Sequence, residues 1–417
     1  MNRVPLFRNR SEFLIVSSIL LVVVIVRLSI LYFEYISLKE SPFYYTDAKV
    51  IRVYKERENG KRVVKLKTKS NLTLYIYSNY KKLKNFSWVR VKFKIDKKST
   101  FLDYLRGVFV YGEVIEVLED GFNPRQRLVE AIYSEHKTTV ANFYSAIYFA
   151  QPLEKSLRDK IAALGISHLI ALSGFHLGIL WIAVFAFLYL PYRYIHQNFI
   201  PWHHRDIDLA LLTLIILFVF VIFVGSPPAL IRSFVMFLIG YVALLFGIEI
   251  VSFYMLAIAT LLILVFEPRL IVSIGFLLSI SGVFYIFLIL KWLKELNRWI
   301  VSLIAIPIGL FIFMFPIGHY FFPVTTTWQL SSPIISLIFI IFYPLSAILH
   351  ILSYPNLFDS VLQYIFSYPI KGVNIVIPNG LMALYLLVSL GAVFSRKLFL
   401  SAFFLALIVT LYSIFLT

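Results

Sequence analysis

The stretch His168-Leu-Ile-Ala-Leu-Ser173-Gly174-Phe-His176-Leu-Gly178 places two imidazole rings and a hydroxyl group inside a long apolar run. Polar side chains are costly in hydrocarbon, so a His-Ser-His cluster in a membrane segment predicts a functional site. A Ser-Gly pair in mid-helix also weakens the backbone ladder, and irregular backbone within a membrane normally lines a cavity. The stretch therefore predicts a membrane helix that bends or unwinds beside a polar cavity.

The composition of the whole chain also indicates a membrane protein. Hydrophobic residues make up 60% of the 417 residues, and the formal net charge is +17. This profile is typical of a polytopic α-helical membrane protein and excludes an ordinary soluble enzyme. The chain has no cysteine, which excludes disulfides, thiolate catalysis and cysteine-ligated metal sites.

Apolar runs long enough to span a bilayer recur along the chain. The first follows three arginines and is not followed by a signal-peptide cleavage site, so residues 1–36 are predicted to be an uncleaved anchor with a cytoplasmic N-terminus. Basic loops after the second and sixth spans agree with this orientation. Nine further runs bring the predicted spans to about ten; they are 164–190, 207–225, 229–247, 250–266, 270–290, 299–318, 331–352, 376–395 and 397–416.

Residues 37–121 change to the alternating pattern of β-strands. Five short runs separated by turn residues predict a small OB-like barrel on the periplasmic side of the membrane. In the fourth run, Val89, Val91 and Phe93 point to one face, while the basic residues between them point to the other. The five runs are 47–54, 61–67, 72–77, 88–95 and 109–118.

The predicted outer surface of this barrel combines cations with aromatic rings. Residues 49–98 contain 17 basic and 3 acidic residues. Proteins that bind single strands without sequence preference hold phosphates by charge and stack bases on rings. The alternative is a solvated barrel face beside acidic lipid headgroups. The candidate DNA-binding residues are Lys65, Lys67, Lys69, Tyr75, Tyr77, Arg90, Lys92 and Lys94.

The rest of the chain divides into amphipathic linker helices over residues 122–163 and a multi-span domain over residues 164–417. In the latter, two prolines open a helix and place Arg232 one turn in, where it either snorkels to the headgroups or holds a phosphate. His319 lies in a proline-broken segment, where unwound backbone normally lines a cavity.

Two interpretations of the His168–Gly178 stretch remain open from its residues alone, and a third, a metal site, is not favoured. Ser173 and His176 are three apart, so a nucleophile and its base could touch, although a hydrolase also needs oxyanion donors. The two histidines lack the i, i+4 spacing and the intervening acid of a zinc helix, so we predict no metal. Alternatively, the small residues permit close helix packing while the histidines bond to neighbouring carbonyls.

The pattern His-Leu-x-Ala-x-Ser-Gly-x-His in this stretch resembles the signature of the ComEC competence family. Further blocks agree in order along nearly the whole chain, although Ser331-Ser332-Pro333 stands where the family usually has Asn-Leu. Longer relatives end in a metallo-β-lactamase-like domain, whereas this sequence has no His-x-His-x-Asp cluster and resembles a short form. The residues that carry the resemblance are His168, Ser173, Gly174, His176, Pro227, Pro228, Arg232, Gly275, Ser279 and His319.

The resemblance implies an inner-membrane channel that passes single-stranded DNA into the cytoplasm during natural transformation, with no catalytic residue and no cofactor. A periplasmic DNA-binding competence protein is an implied partner, and a separate nuclease is expected. The sequence has no Gly-x-x-x-x-Gly-Lys-Ser/Thr motif, so a cytoplasmic translocase or helicase is expected to drive transport. The rival functions are an intramembrane serine hydrolase using Ser173 and His176, and a small-solute transporter.

Overall fold

The computed structural model describes residues 4–54, 62–78, 83, 85, 87–118, 124–170, 172–199, 201–202, 204–370 and 372–417, with only the backbone at Pro228. The chain forms two compact units. The barrel unit comprises Asn9–Pro124 and Thr260–Ser273, and the helical unit comprises Met1–Arg8, Arg125–Ala259 and Ile274–Thr417. Within the predicted segments, residues 1–3, 55–61, 79–82, 84, 86, 119–123, 171, 200, 203 and 371 lie outside the described residues.

The main elements follow in chain order. The barrel unit contains α1 (Arg10–Glu40), β1 (Tyr44–Val53), β2 (Arg62–Thr68), β3 (Thr73–Ser78), β4 (Trp88–Ile95), α2 (Phe101–Arg106) and β5 (Val108–Leu118). The next helices are α3 (Pro124–Glu135), α4 (Thr138–Phe149), α5 (Lys155–Ala163), α6 (Ser167–Ile170), α7 (Gly174–Phe199), α8 (Arg205–Phe223), α9 (Pro228–Leu245) and α10 (Phe253–Phe266). The last are α11 (Ile274–Trp292), α12 (Arg298–Ile300), α13 (Ile306–Phe321), α14 (Ser332–Ile351), α15 (Asp359–Ser367), α16 (Asn379–Gly391) and α17 (Arg396–Phe415).

The five strands of the barrel unit close into a barrel in the order β1-β2-β3-β5-β4. All pairs are antiparallel except β3 with β5, and β1 closes the barrel by pairing with β4. The alternation predicted for β4 is confirmed, because Val89, Val91 and Phe93 are buried while Arg90 is exposed. Apolar residues on one side of each strand fill the barrel, and the polar residues between them therefore face outward.

The barrel is held in place by contacts with two other segments of its own unit. At the end of α1, Tyr35 Oη and Lys39 Nζ both donate to the carbonyl oxygen of Ser99, at 2.5 and 3.0 Å. In the connection between α10 and α11, Arg269 Nη1 donates to Ser70 O at 2.8 Å and its guanidinium lies over the Tyr104 ring. These contacts fix the barrel against the anchor helix and this connection.

Seven helices in the described part of the chain are long and apolar enough to cross a membrane, and three shorter apolar helices accompany them. The predicted fold class, a polytopic α-helical membrane protein with an N-terminal β-barrel, is confirmed. One predicted span differs, because the run 164–190 is divided into α6 and α7 with a break before Gly174. The side chain of Ser173 caps the new helix there, accepting from Phe175 N at 3.3 Å, which stabilises a helix start inside an apolar run.

The helices α3 to α5, which cover the stretch expected to be a surface linker, contribute to a core of the helical unit. Tyr144 and Ile147 of α4 are fully buried, and they belong to the same apolar cluster as Phe339 and Tyr343 of α14. Because these helices bury apolar side chains in this cluster, they pack within the protein. Their contacts place α14 beside the break that precedes α7.

Candidate functional site

One side of the barrel carries a continuous aromatic surface, which we call the aromatic face: Lys65, Tyr75, Tyr77 and Phe109. The register of β2 with β3 sets Lys65 opposite Tyr75, and the parallel pairing of β3 with β5 sets Tyr75 beside Phe109. The Tyr75 and Phe109 rings stack with centroids 4.9 Å apart, and Lys65 Nζ lies 5.6 Å from the Tyr75 centroid. Phe109 is 54% exposed and Tyr77 is 41% exposed, so two rings are accessible beside the half-buried Lys65.

A second side, around β1 and β4, carries cations that are paired with carboxylates; we call Asp47, Lys69, Arg90 and Glu116 the paired face. Asp47 accepts from Lys69 Nζ at 3.0 Å and from Arg90 Nε at 3.1 Å. Arg90 Nη1 also lies 3.6 Å from Glu116 Oε2. The hydrogen bond from Lys69, followed by that from Arg90, holds the pKa of Asp47 below its usual value. Much of the positive charge on this side is therefore balanced.

The remaining predicted binding residues have other surroundings. Burial lowers the pKa of Lys67, although the carboxylate of Glu267 nearby favours its charged form. Lys92 is half-buried, with its Nζ 4.3 Å from the centroid of the Phe43 ring, and Lys94 is also half-buried. The structure thus brings Lys65, Tyr75 and Tyr77 together, with Lys67 near Lys65 on the same strand. The cations Lys69, Arg90, Lys92 and Lys94 lie elsewhere on the barrel. Sequence reasoning missed Phe109, although its outward position follows from the alternation of its strand.

In the helical unit, the geometry at Ser173 and His176 differs from that of a hydrolase. The hydroxyl of Ser173 accepts from the backbone of Phe175, and the Ser173 amide nitrogen lies 3.4 Å from His176 Nδ1. The imidazole is fully buried and meets the Tyr343 ring edge-on, with centroids 4.9 Å apart. The nucleophile and base contact that a serine hydrolase needs is not formed; both side chains instead stabilise the start of α7.

The three motif histidines all contact α14 or the segment before it. His176 packs on Tyr343, and His168 Nε2 lies 3.1 Å from Ser336 Oγ. His319 is buried, with Nε2 3.2 Å from Gln329 Oε1. Gln329 in turn donates to Val324 O at 2.9 Å. These contacts join the three histidines to α14 and to the segment before it.

The other motif residues lie at or within the first two turns of three helices. A Cβ at Gly174, the first residue of α7, would lie 2.9 Å from Ser233 Oγ of α9, so this glycine permits close approach. The neighbouring Arg232 is buried, with its guanidinium carbon 5.7 Å from the ring centroid of Phe276 in α11. Pro227 precedes the first residue of α9, Pro228. Gly275 lies in the first turn of α11 and Ser279 one turn later, where it is half-buried.

The family comparison covers this whole region. A family model described as Competence protein matches residues 150–416. The chain belongs to this family. The match includes every motif residue from His168 to His319 and confirms the resemblance to ComEC proteins; it does not include the barrel. The chain has no match among curated proteins or among solved structures.

A further polar cluster of this competence protein escaped sequence reasoning. His136 Nδ1 lies 2.9 Å from both carboxylate oxygens of Asp359, and its Nε2 lies 3.1 Å from His350 Nε2. His350 Nδ1 lies 2.6 Å from Ser346 O. In the described part of the chain, no three His, Asp or Glu side chains are placed to hold a metal ion. The only sequence signal was a histidine or aspartate next to each of three apolar segments, which does not reveal their contact.

Proposed function

We propose that this protein is a DNA-uptake channel of the inner membrane that passes single-stranded DNA into the cytoplasm during natural transformation. Membership of the competence family and the many apolar helices support a membrane transport role. The observation that carries the proposal is the stacked pair Tyr75 and Phe109 with Lys65 beside it. A base that stacks on these rings brings its phosphate to the cation, as in sequence-tolerant single-strand binding.

In this proposal the barrel is OB-like and periplasmic, and the N-terminus is cytoplasmic. Five-stranded barrels of the OB type bind oligonucleotides on the outward face of the second and third strands and on adjacent loops. Here β2, β3 and β5 supply the aromatic face. A periplasmic DNA-binding competence protein delivers the DNA, a separate nuclease removes the second strand, and a cytoplasmic translocase or helicase draws in the remaining strand.

The helical unit supplies the path across the membrane. Broken helices near the middle of a transport protein place polar backbone and side chains along the substrate path. The break before α7, the buried Arg232 and the motif histidines that contact α14 or the segment before it provide such groups in this chain. His176 acts here as a positioning residue for the helix break, because its ring is fully enclosed.

Two experiments test the proposal. The full-length protein in phosphatidylcholine nanodiscs should bind a fluorescent thymidine oligonucleotide, with affinity that falls as salt rises. Cells that lack the gene should retain DNA in the periplasm without importing it. Normal import in these cells, or absence of oligonucleotide binding at low salt, would contradict the channel.

A further inference from the structure

Residues in the first two turns of three helices that are distant in sequence contact one another inside the helical unit. Gly174 begins α7 and touches Ser233 of α9, while Arg232 of α9 reaches over Phe276 in the first turn of α11. The helices α7, α9 and α11 contain 26, 18 and 19 residues. The N-terminus of a helix carries a partial positive charge of about half a unit, which favours a bound anion. Their convergence concentrates positive potential in an apolar region.

Arg232 adds a full charge at the same place and has no counterion there. Its side chain is 7% exposed, and its Nε has no hydrogen-bond partner. Across the part of the chain that the structure describes, no acidic side chain forms an ion pair with it. A guanidinium remains charged in proteins, and an unpaired buried charge is strongly unfavourable. A protein retains such a group when something else supplies the negative charge.

The chemistry of the surroundings defines the missing partner. Pro227 and Pro228 lack amide hydrogens, so the start of α9 has few backbone donors and the planar guanidinium is the main donor there. Arginine binds phosphate oxygens in a bidentate manner, and the guanidinium lies over the Phe276 ring. This donor set fits a tetrahedral oxyanion.

We propose that Arg232 and the starts of α7, α9 and α11 form a binding site for a phosphate group. This inference rests on the proposed function, because the phosphate group that occupies the site is then a phosphodiester of the incoming strand. Arg232 then pairs with one phosphate after another as the strand passes through the apolar interior. An unpaired phosphate would be strongly disfavoured there. The small residues at Gly174 and Ser233 keep the helix starts close enough to act together.

The first test uses inorganic phosphate and the full-length protein in phosphatidylcholine nanodiscs. Phosphate should raise the midpoint of thermal unfolding above that in chloride at equal ionic strength, because a ligand that binds only the folded state stabilises it. The shift should vanish in Arg232→Gln and persist in Arg193→Gln, which removes an equal charge from an exposed position of α7. An unchanged shift in Arg232→Gln, or no shift in the wild type, would overturn the site.

A second variant keeps the proposal testable if Arg232→Gln does not fold. Arg232→Lys keeps the charge but loses the bidentate fork, so it should retain a smaller phosphate shift. If Arg232→Gln is not monodisperse, Arg232→Lys and the wild type decide the outcome. A phosphate shift in Arg232→Lys as large as that of the wild type would overturn the role of the guanidinium.

The second test identifies the source of the phosphate. Arg232→Gln cells should import labelled DNA at least about tenfold more slowly, because a charge-assisted hydrogen bond to each passing phosphate is lost. Binding of oligonucleotide to the purified variant should change little, because the barrel is intact. If phosphatidylglycerol in the nanodisc stabilises the wild type through Arg232 while Arg232→Gln cells import normally, a lipid headgroup occupies the site and the phosphodiester assignment is overturned.

The outcomes separate this inference from the proposed function. If deletion of the gene leaves import unchanged, the channel itself is contradicted. If deletion abolishes import but Arg232→Gln restores it as well as the wild-type gene does, the channel stands and only the phosphate site is wrong.

Discussion

The aromatic face and the paired face of the barrel arise from the same strand alternation but present their cations differently. On the aromatic face, Lys65 lies over the ring of Tyr75, while on the paired face Lys69 and Arg90 both donate to Asp47. Base stacking contributes about 1–3 kcal/mol per base, whereas a phosphate on the paired face must compete with a carboxylate already in place. The difference teaches that neighbouring side chains, and not the number of basic residues, decide which cations are left to bind a phosphate in the proposed function.

The largest effect is expected from Phe109. Phe109→Ala removes the exposed ring that stacks on Tyr75 and should weaken binding of a thymidine oligonucleotide to the full-length protein about tenfold, from the stacking energy involved. Fluorescence anisotropy measures the change. Tyr111→Ala is the matched control, since Tyr111 is the next outward ring of β5 and lies opposite Lys94. Equal losses in both variants would contradict a specific role of the aromatic face in binding.

An intermediate effect is expected when one cation is removed from each face. Lys65→Ala should lower the salt dependence of binding by about one phosphate contact. Arg90→Ala should lower it less, because Asp47 and Glu116 already balance that charge. The slope of log affinity against log salt gives the comparison. A larger change in Arg90→Ala would assign strand binding to β4.

The smallest effect is expected from releasing the paired cations. Lys69 and Arg90 hold the pKa of Asp47 below its usual value, so Asp47 remains a carboxylate until the pH falls through that lowered pKa. Protonation then frees both cations, and wild-type binding should tighten by about twofold, the scale of an exposed ion pair. The contribution of this pair to stability is lost over the same fall in pH.

Asp47→Asn supplies the control for that titration. The variant should bind somewhat more tightly at neutral pH and lack the change at low pH. A thymidine oligonucleotide serves as the probe at each pH. If Asp47→Asn keeps the full pH dependence of the wild type, another group is responsible and the paired face does not restrain its cations.

The sequence by itself determined the barrel strands, the outward position of their cations and the apolar helices. These are local properties, because a period of two residues or a long apolar run is visible within one segment. The Ser-Gly pair likewise indicated the break before α7, since a helix start needs a capping side chain near it.

The tertiary structure alone decided which of these groups act together. Parallel pairing of β3 with β5 placed Phe109 against Tyr75, while Asp47 neutralised cations that looked equivalent in the sequence. His136 and Asp359 meet across 223 residues, and Arg232 meets Phe276 through the packing of two helices. Such contacts depend on the chain's path and on how side chains fill space between elements. No local pattern contains that information.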